Sequence, residues 1–554
     1  MNEALIECVP NFSEGRDPAK IREITDQIES VEGVRLLDVD PGKATNRTVV
    51  TFVGNPEAVI EAAFRAIKKA GEVIDMHHHT GEHPRMGATD VCPLIPVSGI
   101  SMEQTAAYAK KLGERVGNEL GIPVYLYEHA QSNPARKNLS VIRGGEYEGF
   151  FKKIKQPEWK PDFGPDEFPA STGATVIGAR EFLVAYNVNL NTTSVRRANA
   201  VAFDIREAGR KVKDENGNEV VKPGKLKAVK AIGWFIEEYG IAQVSINLTN
   251  ISITPVHMAF DECVKSADSR GLRVTGSELV GLIPLQALLD AGKYFLNKQK
   301  RSVGVSEEEL IRLAVKSLGL DELSPFDPYK KIIEYLLRDE KQNKLVKMNL
   351  REFANETASE SPAPGGGSIS AYLGSLGVSL ATMVANLSSH KKGWDERWEE
   401  FSKWAETGQQ LKDALLKMVD EDTHAFNRIM ASFSLPKGSD EEKKRRTDAI
   451  QSATKNAIEV PLKVMQLSCD SFDIIEAMAK NGNPNSVSDA GVGALCARSA
   501  VIGAFLNVKI NAGGLKDEAA RNNYLKSAEE LKAKAMVREA EILKIVESKM
   551  NEGS

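Results

Sequence analysis

The densest run of reactive side chains is DMHHHTGEHPRMGATDVCPLIP at 75–96, which holds four of the eight histidines: His77, His78, His79 and His83. A neutral imidazole accepts a proton near physiological pH, so this run can supply a general base. His79 and His83 are four apart, a zinc-ligand spacing on a helix, but Gly81 and Pro84 argue for a loop. An exposed polar loop would share the composition. Arg85 has the planar fork that grips a carboxylate bidentately. Asp90 or Asp40 could orient an imidazole or hold a cationic substrate group. Two further polar loops, VPNFSEGR at 9–16 and GKATNRT at 42–48 with Asn46, border strands and suit a ligand.

A second set lies far along the chain, in LKDALLKMVDEDTHAFNRIM at 411–430. Leu411, Leu415, Met418, Phe426 and Ile429 recur at helical spacing. Asp422 falls on their stripe, and Asp420 and Glu421 point elsewhere. A carboxylate on an apolar face is costly unless paired, protonated or used, so Asp422 is either a structural anion or an acid–base group with a raised pKa. SPAPGGGSISA at 361–371, with Gly366 and Ser368, opens a helix whose free N–H groups could bind an anion. No Lys follows the glycines, so it is not a P-loop, and small residues there also allow close helix packing. NPNSVSDAGVGA at 483–494, with Ser488 and Asp489, is a similar polar turn entering a helix.

The elements that position these groups change character along the chain. Residues 4–9, 36–40, 47–54 and 90–97 read as strands, with helices at 18–30 and 56–70 between them: β-α-β-β-α-β, the split βαβ order. A helix at 102–120 and a strand at 124–127 extend it. The order recurs through strands 182–190, 226–236, 242–250 and 272–279 and helices 194–209 and 256–269. From Pro284 the strand pattern gives way to helices at 284–298, 306–318 and 327–338. Beyond a charged segment, Asn349 and Glu352 form a capping box, and the rest reads as a helical bundle. The expected fold is an α+β N-terminal half of two ferredoxin-like βαββαβ subdomains, at 1–180 and 181–337. A linker at 338–348 and an all-α helical-bundle domain at 349–554 follow.

The 554 residues are 42% apolar and 27% charged with a net charge of −5, an ordinary globular balance that offers no basic field to nucleic acid or an anionic membrane. The longest uncharged stretch, 361–390, is broken by Pro362, Pro364 and three glycines, a poor membrane span. Five scattered cysteines form no CxxC pair and suggest neither a disulfide framework nor a zinc knuckle. A reducing, cytoplasmic compartment is expected.

VPNFSEGR, LLDVD, TNRTVVTFVG, GEHPRMGATDVCPLIPV, DFGPDEFPASTGATVIGAREFL and GSELVGLIPLQALLDA resemble the formiminotransferase half of the formimidoyltransferase–cyclodeaminase family over nearly all of 3–338. PAPGGGS, VDEDTHAF and GNPNSVSDAGVGA resemble its cyclodeaminase half over about 349–554, and are also similar to stand-alone methenyltetrahydrofolate cyclohydrolases. The resemblance implies that His83 is the transferase's catalytic histidine and Asp422 the cyclodeaminase's carboxylate. It implies a folate segment at Gly164, Pro165, Asp166, Glu167, Phe168, Pro169, Ala170, Ser171, Thr172 and Gly173. Composition alone would make that segment a plain connection. It further implies a bifunctional enzyme of histidine degradation. The formimidoyl group passes from N-formimidoyl-L-glutamate to N5 of tetrahydrofolate, and ring closure to 5,10-methenyltetrahydrofolate then releases ammonia. Tetrahydrofolate, polyglutamylated, is co-substrate; no metal or nicotinamide is expected, because both steps are additions and eliminations at an amidine carbon. The expected partners are these small molecules and further copies of the chain in a homo-oligomer, with no nucleic acid or membrane. The rival readings are a metal-dependent amidohydrolase using His77–His83 and a folate-binding scaffold without turnover.

Overall fold

The computed structural model describes residues 4–43, 45–81, 83–215, 217–337 and 344–552; part of the segment read as a linker, 338–343, lies outside them. The chain divides into two compact units, Met1–Ala291 with Val315–Leu337 and Gly292–Ala314 with Arg338–Ser554.

The first unit holds two sheets with the same core order. In the first, Val34–Gly42, Arg47–Gly54, Leu5–Cys8 and Thr89–Ser98 lie side by side and antiparallel. In the second the order is Val229–Ile236, Ile241–Leu248, Val184–Leu190 and Val274–Val280. Numbered within each repeat, both read 2-3-1-4, the ferredoxin-like arrangement expected from the split βαβ pattern. Three helices cover the first sheet. Pro18–Glu29 starts at an Asp17 cap, Pro56–Val73 at an Asn55 cap, and Met102–Leu120 at a Ser101–Gln104 capping box. Their apolar stripes, through Ile24, Ile28, Val59, Ile67, Leu112 and Val116, pack with Ile6, Cys8 and Phe52 in one core.

The first sheet is wider than expected. Thr175–Ala179 joins Thr89–Ser98 in parallel, and Val124–Glu128 adds beyond it, also in parallel. A short pair, Asn11–Phe12, is wedged between Arg47–Gly54 and Thr89–Ser98. In the second subdomain the helix expected over 194–209 stops at Ile205, because the chain turns into a hairpin, Arg210–Lys213 with Glu219–Lys222. The helix expected over 327–338 is broken into Pro328–Lys331 and Ile333–Leu337.

The second unit is built from long helices: Gly366–Ser389, Trp398–Phe433, Asp440–Asn481, Val487–Ala512 and Glu518–Glu552. Small residues let two of them touch backbone to backbone: a Cβ at Gly377 would stand 2.8 Å from the Gly493 carbonyl. Phe401, Leu415, Ile458, Phe472 and Phe505 fill the core between them.

Candidate functional site

The loop from Asp75 to Ala88 separates its four histidines. Asp75 caps a single 3₁₀ turn, Met76–His78. His77 Nδ1 meets the Asp75 carboxylate at 2.7 Å, and both side chains are exposed. His79 turns inward. Its Nε2–H donates to the Asn46 carbonyl at 2.9 Å, and its Nδ1 accepts from Arg85 Nε at 3.3 Å. Burial holds its pKa below the ordinary imidazole value. Among the described residues, no group of three or more His, Cys, Asp or Glu is placed to hold a metal.

His83 sits apart from the others. Its Nδ1–H donates to the Pro84 carbonyl at 2.7 Å, which fixes the tautomer and leaves the Nε2 lone pair as acceptor. The guanidinium of Arg47 lies against that nitrogen. Burial, then Arg47, then Arg143 press the imidazole pKa down to about 2, so His83 is neutral at physiological pH. Arg47 is itself half-buried, and its pKa is lowered to about 9 by burial and by Arg143.

Several expected roles around His83 change. Neither Asp90 nor Asp40 orients the imidazole. Asp90 is fully buried and accepts from the Met86 N–H at 3.1 Å and from the Arg143 guanidinium. Asp40 accepts from the Gly281 N–H at 3.2 Å and so ties the first sheet's edge to the second subdomain. Arg85 is taken by the protein's own carboxylates, Glu146 at 3.2 Å and Glu148 at 2.6 Å. Asn46 stitches loops together at a positive φ of 47°. Its Oδ1 accepts from Gly15 N–H at 3.0 Å, and its Nδ2 donates to the Thr80 carbonyl at 2.9 Å. Arg47 and Arg143 were missed. Arg47 stands inside both GKATNRT at 42–48 and TNRTVVTFVG, next to Asn46. Arg143 carries no signal in sequence, because only the fold brings it to Asp90.

The segment Gly164–Gly173 runs onto the histidine loop. Met76 N–H donates to the Ser171 carbonyl at 2.9 Å and Ala88 N–H to the Thr172 carbonyl at 2.8 Å, while Gly87 and Gly173 form a bridge. The approach demands glycine: at Gly173, where φ is +67°, a Cβ would lie 2.2 Å from the Met86 carbonyl. Phe168 packs on Phe151 and Tyr147, ring centres 4.8 and 5.5 Å apart. Gly164, Pro165, Asp166 and Glu167 are exposed, so the part lying along the His83 loop is Ser171–Gly173.

In the second unit, Asp422 projects from Trp398–Phe433 to the start of Gly366–Ser389. Its Oδ2 accepts from the Ser368 N–H at 3.0 Å and lies 3.2 Å from the Ser368 hydroxyl. The anion drawn to this helix N-terminus is therefore the chain's own. Oδ1 has no hydrogen-bond partner among the described residues. A Cβ at Gly367 would stand 2.0 Å from it, so the glycine makes room for the carboxylate. Burial raises the Asp422 pKa, and the Ser368 hydrogen bonds pull it partly back.

The stripe expected through Asp422 is displaced. Phe426 is exposed, and Asp420, expected to point elsewhere, is the more buried acid. It accepts from the Leu345 and Val346 N–H groups at 2.9 and 3.3 Å, a structural clamp. Gly366 lies at the Asp422 end, beside Asn507. Ser488 and Asp489 do not: they begin Val487–Ala512, and Asn507 is some five turns further on, roughly 28 Å along the axis. A cavity of about 510 Å³ between Thr382, Met383, Asn386, His390, Gln409 and Lys412 includes neither Asp422 nor Ser368.

The geometry yields a neutral imidazole beside two arginines in one unit, and a half-sequestered carboxylate at a helix start in the other. Comparison with known proteins gives the family of each half. Family models described as the formiminotransferase domain, N-terminal subdomain, and the formiminotransferase domain match residues 5–180 and 185–338, and formiminotransferase-cyclodeaminase matches 349–530. A formimidoyltransferase-cyclodeaminase of Rattus norvegicus is 44% identical over 93% of this chain and 93% of its own length. A glutamate formimidoyltransferase of Thermoplasma acidophilum is 45% identical over 53% of this chain and 92% of its own. A methenyltetrahydrofolate cyclohydrolase of Methylorubrum extorquens is 38% identical over 36% of this chain and 97% of its own.

Proposed function

This chain belongs to the formimidoyltransferase–cyclodeaminase family, and from that premise we infer which of its residues carry each of the family's two reactions. The chain is a bifunctional transferase and lyase that acts on tetrahydrofolate. In the first reaction N5 of tetrahydrofolate attacks the amidine carbon of N-formimidoyl-L-glutamate. His83 Nε2 takes the N5 proton and returns it to the departing glutamate nitrogen. The N5–C bond forms, the C–N bond to glutamate breaks, and no net proton is consumed. Folate lies along Ser171–Gly173. In the second reaction N10 adds to the formimidoyl carbon. Asp422, through the free Oδ1, moves the N10 proton to the amine, which leaves as ammonia with one further proton from solution. The product is the 5,10-methenyl cation.

The observation that supports this reading most is the fixed tautomer of His83. Its donor is spent on Pro84, which leaves Nε2 as the acceptor, on the loop whose Met76 and Ala88 N–H groups pair with Ser171 and Thr172. A reducing cytoplasmic setting, polyglutamylated folate and a homo-oligomer belong to the same proposal. The five cysteines, none of them in a disulfide, fit that setting. The test is a coupled assay on the full chain with formimidoylglutamate and tetrahydrofolate, following glutamate and ammonia separately. Both are expected in equal amounts at completion. Glutamate without ammonia would leave the second unit to cyclohydrolase-like chemistry, and ammonia without tetrahydrofolate would return the amidohydrolase reading.

A further inference from the structure

Among the described residues, the charges around His83 do not balance. Arg47 and Arg143 face one carboxylate, Asp90, which is committed to Arg143 and to the Met86 N–H. Among the described residues no carboxylate lies within ion-pair distance of Arg47. Its guanidinium rests on the His83 ring, and its Nε is buried without a hydrogen-bond partner. A cation withdrawn from water and set against a neutral ring is short of one anion.

We propose that Arg47 binds the α-carboxylate of N-formimidoyl-L-glutamate, and that this carboxylate, by drawing the guanidinium off Nε2, frees His83 to act as the base. The proposal rests on the transferase reading above and adds the residue that recognises the donor. Two arguments from chemistry fix the ligand. The anion belongs beside the base, where the amidine reacts. In the donor, the α-carboxylate is carried by the carbon next to the leaving nitrogen. In folate, the carboxylates lie beyond the whole p-aminobenzoyl group and cannot reach the same place while N5 reacts. The second argument concerns Nε2, which has one lone pair in the ring plane. The Arg47 guanidinium lies against both ring nitrogens, Nδ1 at 2.8 Å, so its charge opposes protonation of Nε2 and the base is masked until an anion competes for the guanidinium. A planar guanidinium suits that exchange, because a carboxylate can engage it bidentately.

The test compares two donors on the full chain: formimidoylglutamate and N-formimidoyl-4-aminobutyrate, the same molecule without its α-carboxylate. The wild type should prefer formimidoylglutamate by about 10–100-fold in kcat/KM, the usual range for a charge-assisted contact. In Arg47→Gln the KM for formimidoylglutamate should rise and the preference collapse toward unity, with the KM for tetrahydrofolate unchanged. Arg47→Lys should recover part of the preference. Structural damage would lower both donors together and keep their ratio, which overturns the proposal, as does a KM increase for tetrahydrofolate instead. If Arg47→Gln does not fold, Arg47→Lys decides the matter, because an undiminished preference in that variant equally overturns it. A wild type that transfers nothing from formimidoylglutamate would strike the transferase reading itself, whereas normal transfer with an unchanged preference in the variants strikes Arg47 alone.

Discussion

The two candidate sites hold opposite kinds of ionisable group, and burial pushes both toward the neutral form. His83 loses its proton because a cation is penalised away from water, and Asp422 gains affinity for one because an anion is. The neighbours then separate them. Around His83 two arginines push further the same way. Around Asp422 the Ser368 N–H and hydroxyl push back, leaving the acid only partly shifted. The first site is thus a base under restraint, assembled from loops and a strand edge far apart in sequence. The second is an acid able to give and retake a proton, assembled where one helix begins beside the middle of another. A charged environment suits a step that must recognise an anionic donor; a partly buried carboxylate held by Ser368 suits ring closure of an intermediate already on folate.

The largest expected effect tests that separation directly. His83→Ala should lower glutamate release by about 10²–10⁴-fold, the usual worth of a positioned acid–base group. Ammonia release from supplied 5-formimidoyltetrahydrofolate should be unchanged. Equal loss of both activities would mean that the two sites are not independent, and undiminished transfer would remove His83 from the mechanism.

The second comparison is internal to the helical unit, between Asp422 and Asp420. Asp422→Asn keeps the size and the acceptor for Ser368 but cannot exchange a proton, so ammonia release should fall by about 10²-fold or more with little change in melting temperature. Asp420→Ala should do the reverse. It leaves the buried Leu345 N–H without its acceptor, at a cost of about 1–3 kcal/mol, and frees the more exposed Val346 N–H, while the variant, once folded, keeps its turnover. Thermal melts and ammonia assays on the two variants check both halves. An Asp422→Asn protein that melts early and still turns over would exchange the two roles.

How much of this was legible in the sequence depends on whether the information is local. Met102–Leu120 reads correctly to the residue because Ser101 and Gln104 box its start and Gly121 takes the left-handed φ at its end. The 2-3-1-4 order follows from alternating elements. The parallel strand Thr175–Ala179 escaped because a short apolar run after a glycine has no periodicity of its own. The hairpin at 210–222 escaped because its strands are mostly lysine, arginine and glutamate. His83 and Asp422 were recognisable by motif, but their settings were not. Asp420 and Asp422 are two positions apart on one helix, so hydrophobic spacing singled out the wrong one as the better buried. Arg143 reaches Asp90 across 53 positions, and no local pattern encodes that pairing.

A third buried group asks whether burial alone marks a site. Glu7, in the middle of Leu5–Cys8, is almost fully buried, and its Oε2 has no hydrogen-bond partner among the described residues. Burial lifts its pKa to about 7, against a downward pull from Arg180. The folded value lies above the unfolded one, 4.5, so between those limits the folded chain binds more protons and stability falls as pH rises. The loss is absent below about pH 4.5 and complete above about pH 7, amounting to up to about 3 kcal/mol. Glu7→Gln stays neutral throughout. It should match the wild type at pH 5 and melt later at pH 8, so the difference between the two grows with pH. If the variant instead gains nothing at pH 8, Glu7 is held as an anion by Arg180. Its burial would then resemble the paired charge of Asp90 rather than the neutral imidazole of His83.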